Sequence, residues 1–190
     1  MKLTRSEKFE DVLIFEPVIY RDNRGFFTEA YKTEAFKKLD FNERFVQDNH
    51  SWSHKYVIRG MHYQWSPPMG KLVRVITGAI YDVIVDVRNG SPTFGESYGI
   101  LLSQYNNKQL WVPPGYAHGF LSLENDTHVT YKCSGLYNNL AEGGINPLEN
   151  YLWKQHWNKW VPDYSSLIIS EKDKEAQTLE EYSENPKFEK

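Results

Sequence analysis

The sequence predicts an all-β protein: a sandwich or barrel of short strands, with a few short helices mainly towards the C-terminus. Three observations carry this. Ile80 to Arg88 alternates with a period of two, so Tyr81, Val83, Val85 and Val87 share one face and Asp82, Asp86 and Arg88 the other. Short apolar runs recur along the chain with turn residues between them. Aromatic residues make up 15% of the chain, as 6 Trp, 13 Tyr and 10 Phe, and such residues favour strands, cores and stacking sites.

The elements follow in order. Val12 to Phe15 is an apolar run ended by Glu16-Pro17. Arg21-Asp22-Asn23-Arg24-Gly25 reads as a turn, and Phe26 to Tyr31 as a β-rich run. Thr33 to Leu39 is the best helical stretch of the first half, with Thr33 as its N-cap. Strand character strengthens from Val57. Lys71 to Ile76 alternates and stops at Gly78, and Asn89-Gly90-Ser91-Pro92 ends the strand from Ile80. Ser97 to Ser103, Gln109 to Val112, Gly119 to Leu123 and Thr127 to Cys133 supply further strands. After Gly144 the pattern changes. Trp153, Trp157 and Trp160 stand in a polar segment with no evident task, and Thr178 to Lys190 reads as a short helix or an exposed charged tail.

Composition narrows the function. The 190 residues are expected to form one domain spanning 1–190, with the charged tail at about 178–190. At 40% hydrophobic and 25% charged, the chain can bury a core. A net charge of −3 gives no basic footprint for nucleic acid. A single cysteine, Cys133, excludes an internal disulfide and any multi-cysteine metal site. The charged N-terminus lacks a signal-peptide core, and no apolar stretch approaches a membrane span. The expectation is a soluble, cytoplasmic protein.

Two stretches carry chemistry. One is Arg59-Gly60-Met61-His62-Tyr63-Gln64, followed by Gly70-Lys71-Leu72-Val73-Arg74 and Gly78. The other is Pro113-Pro114-Gly115-Tyr116-Ala117-His118-Gly119-Phe120. Together they resemble the two halves of the cupin pattern, a jelly-roll barrel. Where metal-binding cupins carry two His one residue apart and then a Glu, this chain has His62, Gln64 and Lys71. An ammonium repels a divalent cation and has no lone pair while protonated, so no metal is expected. A His beside cations suits proton abstraction next to a developing oxyanion. Strict alternation puts Arg59 and His62 on opposite faces. Either Gly60 marks a bulge that redirects one of them, or Arg59 lies on a loop or a twisted strand end.

From about Val12 to Asp173 the chain closely resembles the dTDP-4-dehydrorhamnose 3,5-epimerases. The resembling segments are Arg21 to Glu29, Phe45 to Ser51, Val57 to Gln64, Gly70 to Arg74, Ser91 to Gly95 and Leu110 to Phe120. The resemblance implies a cofactor-free epimerase acting on a nucleotide-linked 4-keto-6-deoxy sugar. It implies His62 as base, Asp173 as its partner, Lys71 as holder of the enolate oxygen with Arg59 and His118 nearby, and Tyr131 as the proton donor on the other face. It implies substrate contacts from Arg24, Glu29, Gln47, Asp48, Asn49, Glu142 and Lys172, with Tyr137 stacking on the base. It also implies a homodimer in which Arg24 and Glu29 reach into the partner's site.

Several alternatives stay open on sequence alone. One is a relative that inverts a single centre, or one that takes a GDP- or CDP-linked sugar or a heptose. Another is a non-catalytic sugar-nucleotide-binding cupin. A metal-dependent cupin dioxygenase is a third, and Lys71 argues against it.

Overall fold

The computed structural model describes residues 1–190. In chain order the strands are β1 (Lys2–Arg5), β2 (Leu13–Glu16), β3 (Tyr20–Asp22), β4 (Gly25–Phe27), β5 (Gln47–Ser53), β6 (Ile58–Gln64), β7 (Lys71–Thr77) and β8 (Ala79–Asp86). They continue with β9 (Arg88–Asn89), β10 (Ser97–Ser103), β11 (Gln109–Val112), β12 (Tyr116–Ser122), β13 (Thr127–Cys133), β14 (Glu142–Gly144) and β15 (Phe188–Glu189). The α-helices are α1 (Thr33–Lys37), α2 (Asn150–Leu152), α3 (Glu171–Lys174) and α4 (Leu179–Glu184), with a π-helical turn at Trp153–Trp157 and a 3-10 turn at Tyr164–Ser166.

Two antiparallel sheets form the body, in the jelly-roll arrangement of the cupin pattern. One has the order β1-β2-β11-β7-β13-β5 and the other β10-β8-β12-β6-β14. Between them lie Val73, Val75, Val112 and Val129 from the first sheet and Ile80, Ile84, Leu102 and Phe120 from the second. Each such side chain contributes about 1.5–3 kcal/mol when fully buried. No helix is long and apolar enough to cross a membrane.

Strand β8 has the two faces that alternation assigns it. It is buried along both faces. Ile80, Asp82 and Ile84 look between the sheets, whereas Tyr81, Val83, Val85 and Val87 pack outward beneath the C-terminal segment. That segment is where the tryptophans belong. Trp157 is fully buried in this outer cluster and donates its Nε1–H to Pro147 O at 2.9 Å, with Trp153 and Trp160 packed alongside. Tyr81 meets Trp160 at 5.1 Å between ring centres.

Of the two readings of the charged stretch after Thr178, a short helix or an exposed tail, the structure shows the helix: α4 is started by a capping box between Thr178 and Glu181. Its Tyr182 is buried against Tyr63, and β15 pairs in parallel with β9. Thr33 is not an N-cap: Lys32 holds that position without a side-chain bond, and α1 ends at Lys37. Burial of Phe36 against Phe15 and Phe41 holds this weak helix on the outer face of the six-stranded sheet.

Candidate active site

Strands β6 and β12 place His62 directly opposite His118. The register then shifts, because Phe120 stands opposite Arg59 rather than Gly60. One extra residue on β6 makes a bulge. Gly60 takes φ +128°, and a Cβ there would fall 2.4 Å from Gly119 Cα, so only glycine fits. The bulge resolves the alternation conflict, and Arg59 and His62 line the same cleft.

The cleft has a volume of about 500 Å³, and Arg59, His62, Lys71, His118, Tyr131 and Asp173 all open onto it. A smaller cavity of about 90 Å³ adjoins it, sharing His62, Lys71 and Tyr131 and reaching Tyr137 and Glu142. His62 and His118 stand on the five-stranded sheet, while Lys71 and Tyr131 stand on the facing six-stranded sheet.

His62 Nε2 lies 2.6 Å from Asp173 Oδ1. Asp173 is only 5% exposed and sits on α3, whose N-cap Ser170 accepts from the Asp173 N–H at 3.2 Å. Burial works against its charge, but the hydrogen bond and charge of His62, with Ser170 and the Gly60 N–H, outweigh it and hold the carboxyl below its ordinary range. An ionised carboxylate only accepts, so Nε2 carries the hydrogen and Nδ1 is left with a lone pair. A buried base partner of this kind orients the imidazole and stabilises its protonated form.

Lys71 Nζ donates to His62 O at 3.3 Å and has no carboxylate within ion-pair distance. Burial pushes its ammonium down, opposed by the neighbouring Cys133 and by the carboxylates of Asp82 and Glu142. Burial also raises the Tyr131 phenol, so it holds its proton at neutral pH. Arg59 is fixed by Ser53 Oγ and Trp52 O, both at 3.0 Å. His118 Nε2 lies 3.0 Å from both oxygens of Asp82, a fully buried carboxylate. The arrangement offers a carboxylate-backed base, two or three cationic donors and a phenol on the facing sheet.

The other expected residues separate into two groups. Tyr137 O–H donates to Glu142 Oε1 at 2.9 Å, and Lys172 donates to the same oxygen. Burial disfavours the Glu142 charge, but Lys172 and Tyr137 more than offset this and lower its pKa. Asn49 lines the smaller cavity, and Gln47 lies behind it, donating to Asn49 Oδ1 and accepting from Tyr137 N. Asp48 is not brought to this cleft. It alternates to the outer face of β5 and pairs with Lys132 at 3.0 Å. Arg24 and Glu29 are also elsewhere, near the exposed β3–β4 hairpin, bonded to Asp22 and Lys32. Sequence reasoning missed Asp82, Ser170 and Ser53 as supports. Asp82 had a signal, as a carboxylate inside an otherwise apolar strand, and Ser170 had the Ser-x-x-Asp spacing of a helix start; Ser53 had none.

A family model described as dTDP-4-dehydrorhamnose 3,5-epimerase matches residues 6–181. The dTDP-4-dehydrorhamnose 3,5-epimerase of Escherichia coli K12 is 43% identical over 189 residues, covering 95% of this chain and 96% of the relative. Among solved structures, the dTDP-6-deoxy-D-glucose-3,5-epimerase of Legionella pneumophila, in complex with dTDP-4-keto-L-rhamnose, aligns with a TM-score of 0.85 and 39% identity over 94% of each chain. A 3'-monoepimerase from Streptomyces bikiniensis, in complex with dTDP-quinovose, aligns with a TM-score of 0.85 and 33% identity over 95% of this chain and 90% of that one. Likeness of this extent in sequence and in fold, over nearly the whole length, makes this chain a member of the dTDP-4-dehydrorhamnose 3,5-epimerase family.

Proposed function

We propose that the chain inverts C3 and C5 of dTDP-4-dehydro-6-deoxy-D-glucose, giving dTDP-4-dehydrorhamnose, without a cofactor. The observation that carries the mechanism is the His62–Asp173 pair beside the unpaired Lys71 ammonium. The C4 ketone acidifies the hydrogens on C3 and C5. His62 Nδ1 takes one of them, the C–H electrons move into the C4–O bond system, and an enolate forms. Lys71 holds the enolate oxygen, with His118 and Arg59 adding positive charge. Tyr131, from the facing sheet, delivers a proton to the opposite side of the carbon, which inverts it. Exchange with water then resets the imidazolium and the phenolate. Asp173 stabilises the imidazolium while it exists.

Tyr137 serves as the plate for the base, and Glu142, Lys172, Gln47 and Asn49 contact the nucleotide sugar. The protein works as a homodimer in which Arg24 and Glu29 complete the partner's cleft. The exposed hairpin supports this, since Tyr20, Phe26 and Phe27 stand largely in solvent with Phe27 64% exposed. Sedimentation velocity is expected to give a dimer, and a monomer at working concentration would overturn that part.

Product analysis by NMR tests the activity. The expected product carries the L-rhamno configuration at both C3 and C5. A product inverted at C3 alone would favour the second reading, which rests on the likeness to the 3'-monoepimerase. Activity with GDP- or CDP-linked 4-keto sugars and none with the dTDP sugar would overturn the nucleotide assignment.

A further inference from the structure

Gln64 stands where metal-binding cupins carry a second His, and it takes no part in the proton transfers above. It is 4% exposed, at the end of β6. Its carboxamide is fully engaged with the backbone of two loops. Nε2 donates to Pro67 O and to Leu136 O, both at 2.9 Å, and Oε1 accepts from Asn138 N at 2.8 Å. The bonds to residues 136 and 138 flank Tyr137 on either side. Tyr137 N itself donates to Gln47 Oε1 at 3.0 Å. The Asn138 side chain fastens the same loop to the same turn, donating to Ser66 O at 2.7 Å. The two consecutive peptide units on either side of the Tyr137 Cα are therefore held by side-chain amides. The Tyr137 ring above them remains 57% exposed in total residue area, and its one hydrogen bond goes to Glu142.

A fixed backbone beneath an open ring is the arrangement a stacking plate needs. The ring is set before the ligand arrives, so binding carries a smaller ordering cost. The geometry points to Gln64 as a positioning residue that locks the 136–138 loop and so presents Tyr137 to the nucleotide base. This rests on the reading of the chain as a nucleotide-sugar epimerase in which Tyr137 stacks on the base. Gln64 then acts on affinity, through Tyr137, and not on proton transfer.

The test is a double-mutant cycle read by calorimetric titration with dTDP, alongside steady-state kinetics. Gln64→Met keeps the side chain's length and removes the partner of three partly buried backbone groups, Pro67 O, Leu136 O and Asn138 N. It is expected to weaken dTDP binding and to raise KM tenfold or more, with kcat within threefold of wild type. In a Tyr137→Ala background the same change is expected to alter dTDP affinity by less than threefold, because the residue it acts through is gone. Wild-type affinity in Gln64→Met, equal losses in both backgrounds, or a fall in kcat at unchanged KM would each overturn the inference. Should Gln64→Met fail to fold, Asn138→Ala removes the exposed tie to Ser66. It is expected to raise KM at least threefold at constant kcat, and an unchanged KM would overturn the inference. A wild-type protein that binds no dTDP overturns the underlying reading instead.

Discussion

Asp173→Asn isolates what the buried carboxylate does for His62. The substitution keeps the side chain's size and the Ser170 cap of α3, and removes only the charge. In the wild type, Nε2–H donates across 2.6 Å to an ionised oxygen. A hydrogen bond to a charged group contributes about 1.5–3 kcal/mol net. When His62 takes the substrate proton, a full positive charge appears beside that oxygen. Two unit charges about 4 Å apart interact by roughly 4 kcal/mol at an effective dielectric near 20, and the cleft's water reduces this for the partly exposed imidazole. The transition state therefore loses about 2–4 kcal/mol. At 1.36 kcal/mol per tenfold, kcat falls roughly 30- to 1,000-fold. KM changes little, because the interaction strengthens only as the proton moves. The assay is steady-state turnover of the dTDP-4-keto sugar, with circular dichroism to establish that the variant is folded. A folded variant with kcat within threefold of wild type would refute the reasoning.

Four other outcomes follow from the same geometry. Because burial holds the Lys71 ammonium below its ordinary 10.5, activity is expected to fall off with rising pH below that value; Lys71→Met should cut kcat roughly 100-fold or more and abolish this alkaline limb in a pH–rate profile. Tyr131→Phe should leave exchange of a substrate hydrogen with solvent largely intact while inversion slows, which NMR of recovered substrate and product would separate. Asp86 is fully buried and accepts from Arg88, Ser91 and Thr93, and although burial alone would raise its pKa, these bonds depress it. Its stabilising charge is thus present above the ordinary 3.8 and lost as pH falls through the lower native value, so Asp86→Asn should cost about 3 kcal/mol in urea unfolding at pH 7 and flatten the acid limb of stability. Gly60→Ala should lower both Tm and kcat, because its methyl would strike Gly119 and undo the bulge that aims Arg59 and His62.

Period-two patterning made the strands legible, and the spacing of His62, Lys71 and His118 made the cleft legible. The failures have local physical causes. Alternation gave strand β8 its two faces but not its outer cover, because that cover, the tryptophan-bearing segment around Trp157, lies far along the chain. Strand β5 (Gln47–Ser53) escaped notice because it is polar on both faces, with one row turned to the cleft and the other to the outside. Alternation along that strand explains why Asn49 lines the smaller cavity with Gln47 behind it, while Asp48 faces outward. Arg59 and His62 share a face through the backbone bulge at Gly60, one of the two readings the glycine between them offered, and the register of β6 against β12 decides for it. The supports Asp82 and Gln64 were readable as oddities, a carboxylate among valines and an amide at a metal-ligand position, but their partners became evident only in three dimensions.

The central claim is that His62 removes a substrate proton next to the C4 ketone. Incubation with dTDP-4-dehydro-6-deoxy-D-glucose in deuterated water, followed by NMR, tests it most directly. Wild-type protein is predicted to place deuterium at C3 and C5, and His62→Ala to place it at neither. Absence of deuterium with the wild type, or exchange undiminished in His62→Ala, would contradict the account.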